Sequence, residues 1–168
     1  MSPRPLPDDF DLRPYTLRDR AWIAAAHSLH YREVEGFDAS FDDAVAAALD
    51  DIHARLGRDR TFGLVLWDAG GTRRGSIFAC DMGAAARLRL VLLERGLHGR
   101  GLGRAMLEAA LAGASAAGVR SVEVSTFDAH AAACGLYRRA GFAEVARTPC
   151  TAFGRRMAQV EFRCGLEG

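Results

Sequence analysis

The 168-residue sequence contains no lysine and no asparagine, so its 22 basic residues are all arginine. The missing lysine removes whole mechanisms, because a phosphate-loop NTPase, a protein kinase and a Schiff-base enzyme each need an ammonium or amine at the reacting centre. These two absences go with heavy use of alanine and glycine and point to a GC-rich bacterial genome. Cysteine is sparse: Cys80, Cys134, Cys150 and Cys164 form no C-x-x-C pair, which excludes a zinc site and a disulfide framework and leaves four reduced thiols. No metal is expected. Long apolar runs are also missing, since even the alanine-rich stretch after Gly103 is cut by Arg104, Glu108 and Gly113, short of the roughly 18 residues a membrane span needs. Met1–Phe10 carries three prolines and two aspartates where a signal peptide needs a continuous apolar stretch. A soluble, cytoplasmic protein is expected. With 22 basic and 21 acidic residues the net charge is +1, so no overall positive field draws nucleic acid or an anionic membrane.

What is present fits one domain over residues 1–168, with 1–9 as a flexible N-terminus and no repeat or linker inside. Phe10–Arg13 reads as a strand and Leu17–Val34 as a helix, with His30–Ala39 as the connection to a second helix. That helix opens with a Ser40-x-x-Asp43 cap and keeps Phe41, Val45, Ala48, Leu49, Ile52 and Leu56 on one face until Gly57. Thr61–Asp68 and Gly75–Asp81 form a hairpin, and Ala86–Leu93 is a third strand of this group. Gly99, Gly101 and Gly103 then lead into Leu102, Met106, Leu107, Ala110, Leu111 and Ala114 at helical spacing. Strand Val119–Ser125, helix Ala129–Ala140 and strands Phe142–Arg147 and Met157–Cys164 complete the pattern.

A glycine-rich turn between strand and helix exposes backbone N–H groups at the positive end of the helix dipole, and the absent side chains let an anion approach. The dinucleotide spacing G-x-G-x-x-G fails, because Arg104 follows Gly99-x-Gly101 and Met106 follows Gly101-x-Gly103. The phosphate-loop pattern fails for want of lysine. Taken alone, the cluster is as readily a tight turn as a binding loop.

The segment His98-Gly99-Arg100-Gly101-Leu102-Gly103 resembles the central motif of the GNAT superfamily of N-acetyltransferases, (Gln or Arg)-x-x-Gly-x-(Gly or Ala). A second family signature, Asn-x-x-Ala-x-x-Leu-Tyr followed by Gly-Phe, stands as His130-x-x-Ala133-x-x-Leu136-Tyr137 and then Gly141-Phe142. The resemblance runs from about Phe10 to Cys164. His30–Phe41 and Thr148–Phe162, with Ala152-Phe153-Gly154, look like the acetyltransferase half of proteins that fuse a MarR-type regulator to such a domain.

The resemblance implies a mixed α/β fold: a largely antiparallel central sheet of about six to seven strands, with helices on both faces. It implies acetyl-coenzyme A in a splayed gap between the fourth and fifth strands, its pyrophosphate on the loop amides of His98, Gly99, Arg100, Gly101, Leu102, Gly103 and Arg104. The pantetheine would pair with the backbone at Leu92 and Leu93, where an N–H would also stabilise an oxyanion. His130 would border the cofactor, and Tyr137 would protonate the departing thiolate, a role suited to a phenol that stays protonated at neutral pH. The implied activity is acetyl transfer to a primary amine of a small molecule or peptide, in an enzyme that forms homodimers in many relatives. The rival readings are a non-catalytic acyl-coenzyme A binding or sensing module, which needs the loop but not Tyr137, and a nucleotide-binding module.

Several positions depart from the family pattern. His98 stands for Gln or Arg and His130 for Asn, while Arg87 takes the place where several GNAT families carry a glutamate as general base; an arginine cannot accept a proton. The proton acceptor is left among a water chain, Glu33, Glu35, Asp81 and Glu123. Arg87 and Arg89 either form a solvated pair or face the cleft and favour an anionic acceptor. Trp22 is assigned to the core, whereas Tyr31 and Phe37 are open between core and acceptor pocket. His27 and His30, at i and i+3, lack a third metal ligand at matching spacing.

Overall fold

Apolar residues alternate in the strand segments and recur every three to four residues in the helical ones, and burying both patterns together needs a sheet covered on both faces. The computed structural model, which describes residues 2–167, has that arrangement. In chain order the elements are β1 (Phe10–Pro14), α1 (Arg20–Glu35), α2 (Ser40–Arg55), β2 (Phe62–Asp68), β3 (Arg73–Asp81), β4 (Ala85–Leu93), α3 (Leu102–Ala116), β5 (Ser121–Phe127), α4 (Ala131–Arg139), β6 (Ala143–Ala152) and β7 (Arg155–Gly165). The sheet order is β1-β2-β3-β4-β5-β7-β6. Only β4 and β5 run parallel, so the sheet is largely antiparallel, as expected.

Helices α3 and α4 cover one face, where Leu102, Met106, Leu107 and Ala110 pack with Ile77, Leu88, Val122 and Phe162. On the opposite face Ile23, Val45, Leu49 and Ile52 from α1 and α2 pack on Val65, Phe78 and Cys80. Trp22 packs at the edge of that second core, in line with its assignment.

Some local boundaries differ from the sequence reading. Helix α1 begins at Arg20 rather than Leu17, because the Asp19 carboxylate accepts from the Thr16 amide at 2.8 Å and holds Arg73 at 2.7 Å, closing Leu17–Asp19 into a separate 3-10 turn. The helix then continues through His30–Glu35, which bears out the helix read to Val34 over the overlapping loop, and stops at Gly36, whose φ of +66° no β-carbon opposes. The cap of α2 comes from Asp38 and not Ser40: the Asp38 carboxylate accepts from the Ser40 amide at 3.0 Å and from the Ser40 hydroxyl. Strands β6 and β7 extend further than expected, and Phe153 and Gly154 make the turn between them. Residues 2–9 lie along α3, with the Arg4 amide donating to Glu108 at 2.8 Å and Leu6 packed on the core.

His27 is 2% exposed, and its Nδ1–H donates to the Ile23 carbonyl at 2.8 Å, leaving Nε2 buried without a partner. Burial pushes its pKa down to about 4, from about 6.5 in an unfolded chain. Between these values the unfolded chain binds a proton that the folded chain refuses, so stability falls as pH drops through that window. Urea midpoints measured across it are expected to decline in the wild type and to decline less steeply in His27→Gln.

Candidate functional site

The site follows from how β4 ends. Its Ala85–Leu88 pairs with Ser121–Val124 of β5, and no pairing between the two strands follows. Just beyond, Leu90 takes a φ of +50°, the register with β3 shifts between Ser76 and Phe78, and the Ser76 hydroxyl donates to the Leu90 carbonyl at 2.7 Å. This is a bulge, which bends the strand. Meanwhile β5 stays paired with β7 as far as Phe127. The edge of β4 beyond Leu88 is therefore left without a strand partner on the β5 side.

A cleft of about 760 Å³ opens in the gap. Val91, Leu92 and Leu93 form one wall and Ala129–Ala133 with Leu136 the other; Gly99, Gly101 and Gly103 lie at one end, and His30, Tyr31, Val34 and Glu35 of α1 also face it. Gly101 is the N-cap of α3 with φ +78°, so the helix starts at the loop with its free amides directed toward the cleft end. The His98 imidazole meets the Leu93 carbonyl at 3.0 Å and ties the loop to β4. Arg104 donates to Glu108 at 2.7 Å and to the Arg139 carbonyl at 2.8 Å, joining α3 to the end of α4.

Of the residues singled out in the sequence, Leu92, Leu93, His98, Gly99, Gly101, Gly103, Arg104 and His130 all line this cleft. Leu102 and Arg100 do not contribute side chains: Leu102 is fully buried in the core, and the Arg100 guanidinium lies over the Phe10 ring and 3.2 Å from Asp9. Tyr137 is 2% exposed, its ring between Phe142 and Phe162, and it is not among the lining residues. Burial, with Tyr31 nearby, pushes its phenol pKa up, so it holds its proton at neutral pH.

Three of the four candidate carboxylates are elsewhere. Asp81 is gripped by Arg60 at 2.8 and 3.1 Å and by the Gly83 amide at 2.9 Å, which drives its pKa down. Glu123 lies between Arg87 at 3.4 Å and Arg163 at 3.7 Å, and Glu33 is exposed on α1 away from the cleft. Glu35 alone lines it. Its side chain is 11% exposed and paired with Arg155 at 3.1 Å, and burial raises its pKa against the pull of that arginine. The expectation of an anion grip fails, because Arg87 is matched by Glu123 and Glu161, Arg89 is held by Asp51 at 2.7 Å, and neither lines the cleft.

Tyr31 lines the cleft, whereas Phe37 is buried in a cluster with Tyr31, Phe41, Phe127, Phe153 and His130. That cluster escapes a reading of local periodicity because its six members come from six separate segments. Arg4 was also missed: it sits in a proline-rich start with no pattern, yet its guanidinium comes 3.6 Å from where a Gly101 β-carbon would stand. Among the described residues no cluster of potential metal ligands occurs.

Residues 18–142 match the model of the acetyltransferase (GNAT) family. Among solved structures, spermidine N-acetyltransferase from Vibrio cholerae, in complex with CoA and spermine, superposes with a TM-score of 0.71 at 17% identity, covering 95% of this chain and 97% of that one. A GNAT-family acetyltransferase from Staphylococcus aureus gives 0.76 at 12% identity, covering 94% and 99%. A Salmonella typhimurium protein described as an acetyltransferase, with its cofactor acetyl-CoA, gives 0.72 at 18% identity and covers 95% of each chain.

The two central glycines differ in what they tolerate. A β-carbon on Gly101 enters a left-handed backbone, whereas on Gly103 it meets only Leu136 and Leu93 at 3.6 and 3.8 Å, ordinary contact inside a helix. Chemical denaturation is expected to show Gly101→Ala losing about 1–2 kcal/mol, while Gly103→Ala stays level or gains up to about 1 kcal/mol.

Proposed function

We propose, for a chain that belongs to the acetyltransferase (GNAT) family and is thereby an acyltransferase with acetyl-CoA as its cosubstrate, that it transfers the acetyl group to a primary amine by direct attack with both substrates bound. One observation carries the reading: β4 parts from β5 after Leu88 beside the glycine-led start of α3, so an unpaired strand edge and a cluster of free amides line one cleft. The donor fits this surface. Its pyrophosphate is held by amides between His98 and Arg104, and Arg4, Arg95 and Arg139 at the cleft add permanent positive charge for phosphate. Its pantetheine follows the backbone at Leu92 and Leu93, as a third strand would.

Acetyl-CoA supplies an activated carbonyl. The amine nitrogen bonds to the carbonyl carbon, the carbon–sulfur bond breaks, the nitrogen sheds a proton and the thiolate takes one up. Tyr137 is the donor to sulfur in this reading, its raised pKa keeping the proton in place until charge builds there. A homodimer is part of the same proposal, with the exposed outer strand β6 as the available sheet edge. The likeness to MarR-fused acetyltransferases rests on two segments that meet here, since the Asp38 amide donates to the Phe153 carbonyl at 3.0 Å.

A second reading has one observation in its favour: Tyr137 does not line the cleft, as suits a module that binds acyl-CoA without chemistry. Thiol release from acetyl-CoA with a panel of amines separates the two. On the enzymatic reading Tyr137→Phe loses about 100- to 10,000-fold in kcat with little change in KM for acetyl-CoA, since the proton is given mainly in the transition state. A variant that matches wild type assigns Tyr137 to packing.

A further inference from the structure

The His130 Nε2 atom is buried without a hydrogen-bond partner, on a side chain 10% exposed that lines the cleft. Leaving such an atom unsatisfied costs about 1–3 kcal/mol, so its persistence in a functional cleft calls for a ligand. Its other ring nitrogen is engaged, with Nδ1 3.2 Å from the Thr126 hydroxyl. The Glu35 carboxylate stands across from Nε2, with Oε1 at 3.9 Å, too far for a direct bond. Arg155 occupies the other oxygen of Glu35 and leaves Oε1 free toward the imidazole.

In the tautomer whose Nδ1–H donates to Thr126, Nε2 and Oε1 are two desolvated acceptors 3.9 Å apart. One nitrogen carrying two hydrogens can sit about 2.9 Å from both. A primary amine has that shape, and an anion is repelled there. We propose that His130 and Glu35 form the seat of the acceptor's amino group, with Glu35 holding the incoming ammonium and His130 Nε2 taking the proton as the nitrogen attacks. The proposal deepens the acetyl-transfer reading and rests on it.

In the balanced step the ammonium first gives one proton to water, which frees its lone pair; the carbon–nitrogen bond then forms, a second N–H proton passes to Nε2, and the carbon–sulfur bond breaks to a thiolate that is protonated in turn. The surroundings fit. Burial, with His30 and Arg155 nearby, holds the His130 pKa down to about 4, so its lone pair is free at neutral pH. The Tyr31 ring, which lines the cleft 4.9 Å from the imidazole, can face a cation, and Phe37, buried 5.6 Å from the same imidazole, backs it. This assignment moves His130 from the cofactor to the acceptor and explains the departure from asparagine.

The test uses the full chain saturated with CoA and labelled with 15N-histidine, titrated with benzylamine or spermidine and with benzyl alcohol as the uncharged control. Both amines are expected to shift the His130 Nε2 resonance and the alcohol to leave it unmoved. In parallel, His130→Asn, which restores the family residue, is expected to bind acetyl-CoA within about twofold of wild type by calorimetry while amine acetylation falls about 100-fold or more. Silence of His130 toward both amines overturns the proposal. So does a His130→Asn variant that loses acetyl-CoA affinity but turns over normally once loaded, which returns the imidazole to the cofactor. A wild-type chain that fails to bind acetyl-CoA before any amine is added defeats the acetyl-transfer reading itself.

Discussion

The bulge at Leu90 is the constraint on which the rest of the structure depends. A parallel pair such as β4 and β5 normally continues as long as both strands last, since each added residue satisfies backbone groups on both sides. Here the pair stops at Leu88 while β5 goes on with β7 and β4 goes on with β3. The Ser76 hydroxyl takes up the Leu90 carbonyl and compensates the ladder at the bend. Everything on the cleft then has its place: the glycine loop at one end, the turn before α4 on the far wall, and the last turns of α1 against the opening.

Charge divides the same cleft. Arginines 4, 95, 104 and 139 line it together with the glycine loop, while the one carboxylate among the described residues that line it, Glu35, comes from α1 next to aromatic rings. A ligand with phosphates and a ligand with an amine thus find separate complements in one cavity. Two further ion pairs, Asp81 with Arg60 and Asp51 with Arg89, are spent on structure at the α2 face of the sheet. The arginine pair on β4 is likewise matched, Arg87 by Glu123 and Arg89 by Asp51, and does not line the cleft.

Much of the architecture was legible because it rests on local signals. The alternating strands, the apolar stripe of α3 and the two spaced motifs locate the sheet, the loop and eight cleft residues directly. What escaped depends on contacts between distant segments. The end of α1 was read two ways, as a helix to Val34 and as a loop from His30, and Gly36 decides for the helix by stopping it at Glu35. The cap of α2 was misread because Asp38 acts across an Asx-type turn and takes the role that Ser40 plays in a local pattern. Glu35 stood among four equal candidates until folding tied Asp81 and Glu123 into ion pairs and left Glu33 exposed outside the cleft. Arg4 had no signal at all, since only the docking of residues 2–9 along α3 brings it to Gly101.

The most direct measurement of the central claim is a backbone amide NMR titration of the full chain with CoA. A cofactor seated in the β4–β5 gap moves the amides of Val91–Leu93 and of Gly99, Gly101 and Gly103 together, with Arg87 and Arg89 little changed. Perturbations confined to another surface, such as the groove between Trp67 and Arg73, or amides of the glycine loop that stay fixed at saturation, contradict it.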